Sequence, residues 1–135
     1  TTAAMLEFHR GAIAQLVTTA ESHMYGPELV IYGTAGNLIC NDPNMFSGPI
    51  ILEKGGKREE ISPTHPYGEN SRGLGVIDLA AALRGSGKNR ADGLLALHVL
   101  EILKGAWESA KIGRNVSIST GTIWPDPVPE TGISY

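Results

Sequence analysis

The side chains best able to hold a metal ion are His9, His23, His65, His98 and Cys40. No two of them fall at the i,i+3, i,i+4 or Cys-x-x-Cys spacing by which neighbouring ligands share an ion. The sequence therefore predicts no metal site. His98, in line with Leu94 and Glu101 on a helical pattern, reads as a structural histidine. Nucleophilic chemistry has no better footing. There is no Gly-x-Ser-x-Gly elbow, and Cys40 lies in a strand-like run with no histidine near it in sequence. An inert, buried thiol is the expectation there.

Two stretches are richer. Gly73-Leu74-Gly75-Val76-Ile77-Asp78 has the Gly-x-Gly opening of a dinucleotide loop and leads into a helical pattern. It lacks the third glycine, no hydrophobic strand precedes it, and Asp78 would repel a pyrophosphate. Glycines that let a loop enter a helix tightly explain it better. The loop His65-Pro66-Tyr67-Gly68-Glu69-Asn70-Ser71-Arg72 concentrates hydrogen-bonding side chains between prolines and a helix start. Arg72 suits a carboxylate or phosphate, and Tyr67 and Asn70 suit sugar hydroxyls. These three are the candidate substrate-binding residues, although a solvated connection rich in turn residues needs no ligand.

The elements that must position this loop fall in two blocks. Ala4, Leu6 and Phe8 alternate with Met5, Glu7 and His9, which is strand periodicity, and His9-Arg10-Gly11 supplies the reversal into Ala12–Thr19. Pro27 opens a third strand, Glu28–Tyr32, whose unbroken apolar run predicts a strand covered on both faces. Asn37–Cys40 returns from it, and Ile50–Glu53 with Arg58–Ile61 forms a further hairpin across Lys54-Gly55-Gly56-Lys57. Strands in series with short links predict a mostly antiparallel sheet of about six strands. From Gly73 the period changes: Val76, Leu79, Ala80 and Leu83 recur at helical spacing, ended by Gly85-Ser86-Gly87. Asp92 is placed to cap a longer helix to about Ile112. Glu101, Lys104, Glu108 and Lys111 form its solvated stripe, between the flanks Leu95, Val99, Ile102, Ala106 and Leu97, Leu100, Leu103, Trp107. An apolar arc that wide predicts heavy burial. Val116–Ser119 is expected to add a last strand, and the tail with Pro125, Pro127 and Pro129 is expected to lie extended or disordered. The fold class is thus α+β: a mostly antiparallel sheet followed by two helices packed on one face.

At 135 residues the chain has room for one domain, and 41% apolar residues can fill a core. A net charge of -3 with interspersed signs gives no electrostatic case for nucleic acid or an anionic membrane. No apolar run approaches a bilayer's width. A lone cysteine cannot close an internal disulfide, which favours the cytoplasm. The opening Thr1-Thr2-Ala3 points to a processed product or a piece of a longer protein.

Tyr67 through Ala80, then Arg90-Ala91-Asp92-Gly93, Ala96-Leu97-His98-Val99-Leu100-Glu101, Ser109-Ala110 and Gly113, in that order, resemble a known C-terminal block. It is that of the glucose-fructose oxidoreductase and inositol dehydrogenase (Gfo/Idh/MocA) family. The Gly11 hairpin and Ile31-Tyr32-Gly33-Thr34-Ala35-Gly36 are similar to that family's paired strands and its Gly-Thr-x-Gly turn. The resemblance covers residues 3–119, taken as a substrate and oligomerisation domain, and leaves 120–135 as a Pro-rich tail. It implies an incomplete enzyme: the family's NAD- or NADP-binding Rossmann domain, its Glu-Lys-Pro motif and its Asp-x-x-x-His pair would all lie upstream of Thr1. Glu53-Lys54-Gly55 imitates that motif without its proline. No catalytic, cofactor-binding or metal residue carries over. What the resemblance implies is a domain that covers a sugar or polyol substrate and pairs subunits through its sheet face. A stand-alone α+β binding or dimerisation module is the competing reading.

Overall fold

The computed structural model describes residues 1–23, 29–64, 66–69 and 72–134. Six strands run in order β1 (Thr2–Glu7), β2 (Ile13–Thr18), β3 (Leu29–Gly33), β4 (Gly36–Cys40), β5 (Ile50–Lys54) and β6 (Lys57–Ile61). Two helices follow, α1 (Leu74–Leu83) and α2 (Gly93–Ile112). Among the described residues every strand pairing is antiparallel, so the fold is α+β as the strand-then-helix pattern predicts. The strands divide into a β1-β2 hairpin and a four-stranded sheet, β3-β4-β5-β6. Pro27 and Glu28, read as the start of the third strand, lie outside the described residues.

The chain forms two compact units, one of Thr1–Gly26 with Val99–Thr120 and one of Pro27–His98 with Gly121–Tyr135. In the first, β1 and β2 register Ala4 against Leu16 and Leu6 against Ala14. Ala4, Leu6 and Ala14 are half-buried, while Met5, Ile13 and Val17 on the other face are exposed. Alternation in sequence therefore sets the inward face. Val116–Ser119 forms no strand. Residues 116–118 run back along α2 instead, where Gly105 leaves room for Ile118: a Cβ there would stand 2.8 Å from Ile118 Cδ1.

In the second unit the helix signals act as read. Gly85 stands at φ +81, where a glycine avoids the steric cost that a Cβ would meet. Its N–H donates to the Ala82 carbonyl and that of Ser86 to Ala81, a Schellman closure of α1. Asp92 caps α2: its Oδ1 accepts from the Leu95 N–H at 2.8 Å. The tail has no regular structure and lies on the surface of this unit.

Burial departs from the sequence expectation. The helical spacing of Val76, Leu79 and Leu83 makes a helix, yet all three are exposed, and α1 buries Asp78 and Ala81. The heavy burial expected of α2 is also absent: it has no buried residue, and Leu97, Leu100, Leu103 and Trp107 all stand exposed, Trp107 at 68%. No described strand residue is buried either, so the double cover expected for β3 is missing. Periodicity reports which side chains avoid water, but it does not say that this chain supplies their cover. Among the described residues no helix is long and apolar enough to cross a membrane.

Candidate functional site

Among the described residues the most enclosed polar arrangement is built on Asp78, in the second turn of α1. Its side chain is 7% exposed, and such a carboxylate needs partners for both oxygens. Arg90 supplies them. The Arg90 backbone N–H donates to Asp78 Oδ2 at 2.7 Å, and Arg90 Nη1 forms a charge-assisted bond with Asp78 Oδ1. The remaining guanidinium nitrogens reach the tail: Nε donates to the Asp126 carbonyl at 3.0 Å and Nη2 to the Pro127 carbonyl at 3.4 Å. One arginine thus ties helix and proline segment together, using its planar fork on acceptors that lie in different directions. A small cleft of about 130 Å3 opens beside the pair, lined among others by Lys88, Thr131, Gly132 and Ser134.

The candidate loop residues are placed differently from one another. Tyr67 is half-buried, and its hydroxyl accepts from the Ile133 N–H at 2.7 Å. Gly132, at φ +88, makes that approach possible; a Cβ there would sit 2.8 Å from Tyr67 Oη. Arg72 is exposed, and its Nη2 donates to Asn44 Oδ1 at 3.3 Å. Asn44 sits in the Asp42 turn, where its N–H donates to Asp42 Oδ1 at 2.7 Å. Asn70 lies outside the described residues, as does His65. Tyr67 therefore serves the tail and Arg72 the β4–β5 connection. Among the described residues no group of three His, Cys, Asp or Glu side chains converges. Cys40 is a half-buried thiol on β4, opposite Leu29.

Sequence reasoning missed Asp78 and Arg90 as a pair. In the sequence Asp78 stands out only as a charge unsuited to a pyrophosphate, and Arg90 only within a resembling segment. The available signal was an acidic residue next to Ile77 and Leu79 in a helix whose other positions are apolar or small. Its partner's position, 12 residues on, depends on the path of the connection and cannot be read from spacing.

Glu101 is the second residue whose role emerges only in three dimensions. Assigned to the solvated stripe, it is half-buried and accepts from Ser119 and Thr120, from both backbone N–H groups at 2.8 Å and from both hydroxyls. The Thr120 hydroxyl, then the Ser119 N–H, and the two further donors hold its pKa down to about 2. A carboxyl so depressed stabilises the fold above its ordinary value of 4.5, and that contribution is lost as pH falls through about 2. A carbon-13 titration should place the Glu101 midpoint near 2 in the native chain. A midpoint in the ordinary glutamate range would mean the four bonds are not made in solution.

Comparison with known protein families, curated proteins and solved structures returns no match. The geometry must carry its own reading. It offers a tail strapped to α1 by one buried ion pair, and wide apolar surfaces on sheet and helix.

Proposed function

We propose that this chain is the C-terminal substrate-covering and subunit-assembly domain of an NAD(P)-dependent sugar or polyol oxidoreductase of the cytoplasm. Its cofactor-binding half would be another domain, and the chain would be inactive alone. The observation that supports this is the amount of surface left open. The chain exposes 11229 Å2. A compact monomer of 14.3 kDa exposes roughly 6,800 Å2, and two separate compact bodies sharing that mass roughly 8,000 Å2. The excess is roughly 3,000 Å2, against about 800 Å2 per partner in a standard interface and 1,000–2,500 Å2 in obligate dimers. One subunit contact does not absorb it. A subunit contact plus an interface to a further domain does, at about 600–1,500 Å2 for the latter. That arithmetic fits a domain with more than one covered surface, as the proposed reading requires; a module with two contacts to further copies would meet it as well.

The test is calorimetric titration with NADH and NADPH of two proteins: this chain, and the product of the whole reading frame that encodes it. The chain alone should show no binding at micromolar concentration, and the longer product should bind one of the two. In that product, alanine at Tyr67, Asn70 or Arg72 should lower kcat/KM by more than about tenfold at one position or more, about 1.4 kcal/mol of transition-state stabilisation. A long product that ignores both dinucleotides returns the chain to the class of binding modules. Dinucleotide binding with unchanged kinetics in all three variants removes the loop from the substrate pocket.

A further inference from the structure

The two edges of the four-stranded sheet are unlike. β6 carries Lys57, Arg58, Glu59 and Glu60 in succession, the run of charges that discourages a foreign strand from pairing. β3, at the opposite edge, reads Leu29-Val30-Ile31-Tyr32-Gly33 and has no charge at all. Leu29, Ile31 and Tyr32 are exposed, Tyr32 at 80%.

Among the described residues no strand lies beyond β3 in this sheet. Gly33 pairs with Gly36 across the two-residue link Thr34-Ala35, which makes Gly33–Gly36 a hydrogen-bonded pair. Alternation along an antiparallel ladder then makes Ile31–Leu38 and Leu29–Cys40 hydrogen-bonded pairs also. Val30 and Tyr32 are the residues between, so their N–H and C=O groups point away from β4, at the open edge. Those four groups are a template for one more strand.

We propose that this edge takes β3 of a second copy of the chain, antiparallel, about a two-fold axis through Ile31. This is a contact distinct from pairing through the sheet face. Self-pairing in that register sets Val30 opposite Tyr32 of the second copy, and all four outward groups of each strand are bonded. It also sets β-branched Val30 against aromatic Tyr32 on both sides of the axis, a favourable cross-strand combination. Ile31 meets its own counterpart in a non-hydrogen-bonded pair, where Cα atoms stand about 4.5 Å apart. The occupant is a second copy because the five residues complement themselves in both hydrogen bonding and shape, with no charge to repel. Closed two-fold contacts of this isologous kind are also the commonest in soluble oligomers.

The close approach at the axis is the basis of the test. With Cys40→Ser to remove the native thiol, Ile31→Cys should cross-link two chains under mild oxidation, while Lys57→Cys on β6 should not. In the unaltered chain the Val30 and Tyr32 amides should exchange more slowly as concentration rises, by on the order of tenfold. Val30→Pro removes an outward N–H that β4 does not use, and should abolish the cross-link and the slowing at Tyr32. Should that variant fail to fold, Ile31→Lys puts like charges on the axis and should abolish the concentration-dependent slowing at Val30 and Tyr32. An absent cross-link with persisting self-association overturns the edge contact and leaves the face contact standing. Protection of Val30 and Tyr32 that is independent of concentration also overturns it, because one of the chain's own strands would then cover the edge. A monomer at every concentration overturns both contacts.

Discussion

Replacing Asp78 by alanine is expected to cost the fold about 3 kcal/mol or more. The substitution leaves two groups of Arg90 without their acceptor, the guanidinium Nη1 and the backbone N–H. Removing one member of a buried pair typically costs about 3–5 kcal/mol, because the survivor stays desolvated and unpaired. Arg90 is 26% exposed on its side chain, and it keeps the Asp126 and Pro127 carbonyls. Water and those two acceptors compensate part of the loss, which places the expected value at the low end of that range. The loss is still large, because a small domain has only about 5–15 kcal/mol in all and this chain buries few side chains. Urea unfolding followed by far-ultraviolet circular dichroism is the measurement. Asp78→Asn keeps one carbonyl acceptor and should fall between wild type and alanine. A shift below about 1 kcal/mol for alanine would show that the pair does not organise the fold.

The elements were legible because their signals are local. Alternation in Ala4–Phe8, glycines at the turns, and Asp92 before Leu94-Leu95 each act within a few residues. The structure follows them at β1, at the Gly85 closure and at the Asp92 cap. What failed to show were relations between residues distant in sequence. Val116–Ser119 has the composition of a strand, but Glu101 offers its Ser119 and Thr120 donors a carboxylate, and the segment follows the helix instead. The Tyr67 hydroxyl accepts from a tail N–H 66 residues on, a partner that no local spacing announces. Arg72 reaches Asn44 for the same reason: a long polar side chain bonds whatever the fold brings near. Burial was the least legible property. Leu97, Leu100, Leu103 and Trp107 share one flank of α2 as their spacing requires, and that flank is open.

That open surface leads to the second large effect. The chain alone is expected to self-associate at micromolar concentration, as a dimer through its sheet face. A higher oligomer follows if the face and the β3 edge act together. The strand register places Ile31, Leu38 and Leu52 side by side, and two residues on from them Leu29, Cys40, Ile50 and Ile61. All seven therefore point to one face, and none of them is buried. The opposite face is interrupted by Asn37, Glu53 and Arg58, of which the last two pair at 3.0 Å. The first face carries Lys54, Lys57 and Glu59, but these lie at the turn end of β5 and on β6; from Leu29 and Ile31 across Leu38 and Cys40 to Ile50 and Leu52 it is contiguous and apolar, which makes it the better subunit surface. Contiguous exposed apolar surface of this kind marks an interaction site, and burying it returns roughly 25 cal/mol per Å2. Sedimentation equilibrium decides the matter. Leu38→Glu, which puts a carboxylate at the centre of the face, should shift the chain toward the monomer by more than about tenfold in dissociation constant. A single 14.3 kDa species for the unaltered chain would place the cover of this sheet in another domain and remove the subunit role from the proposed function.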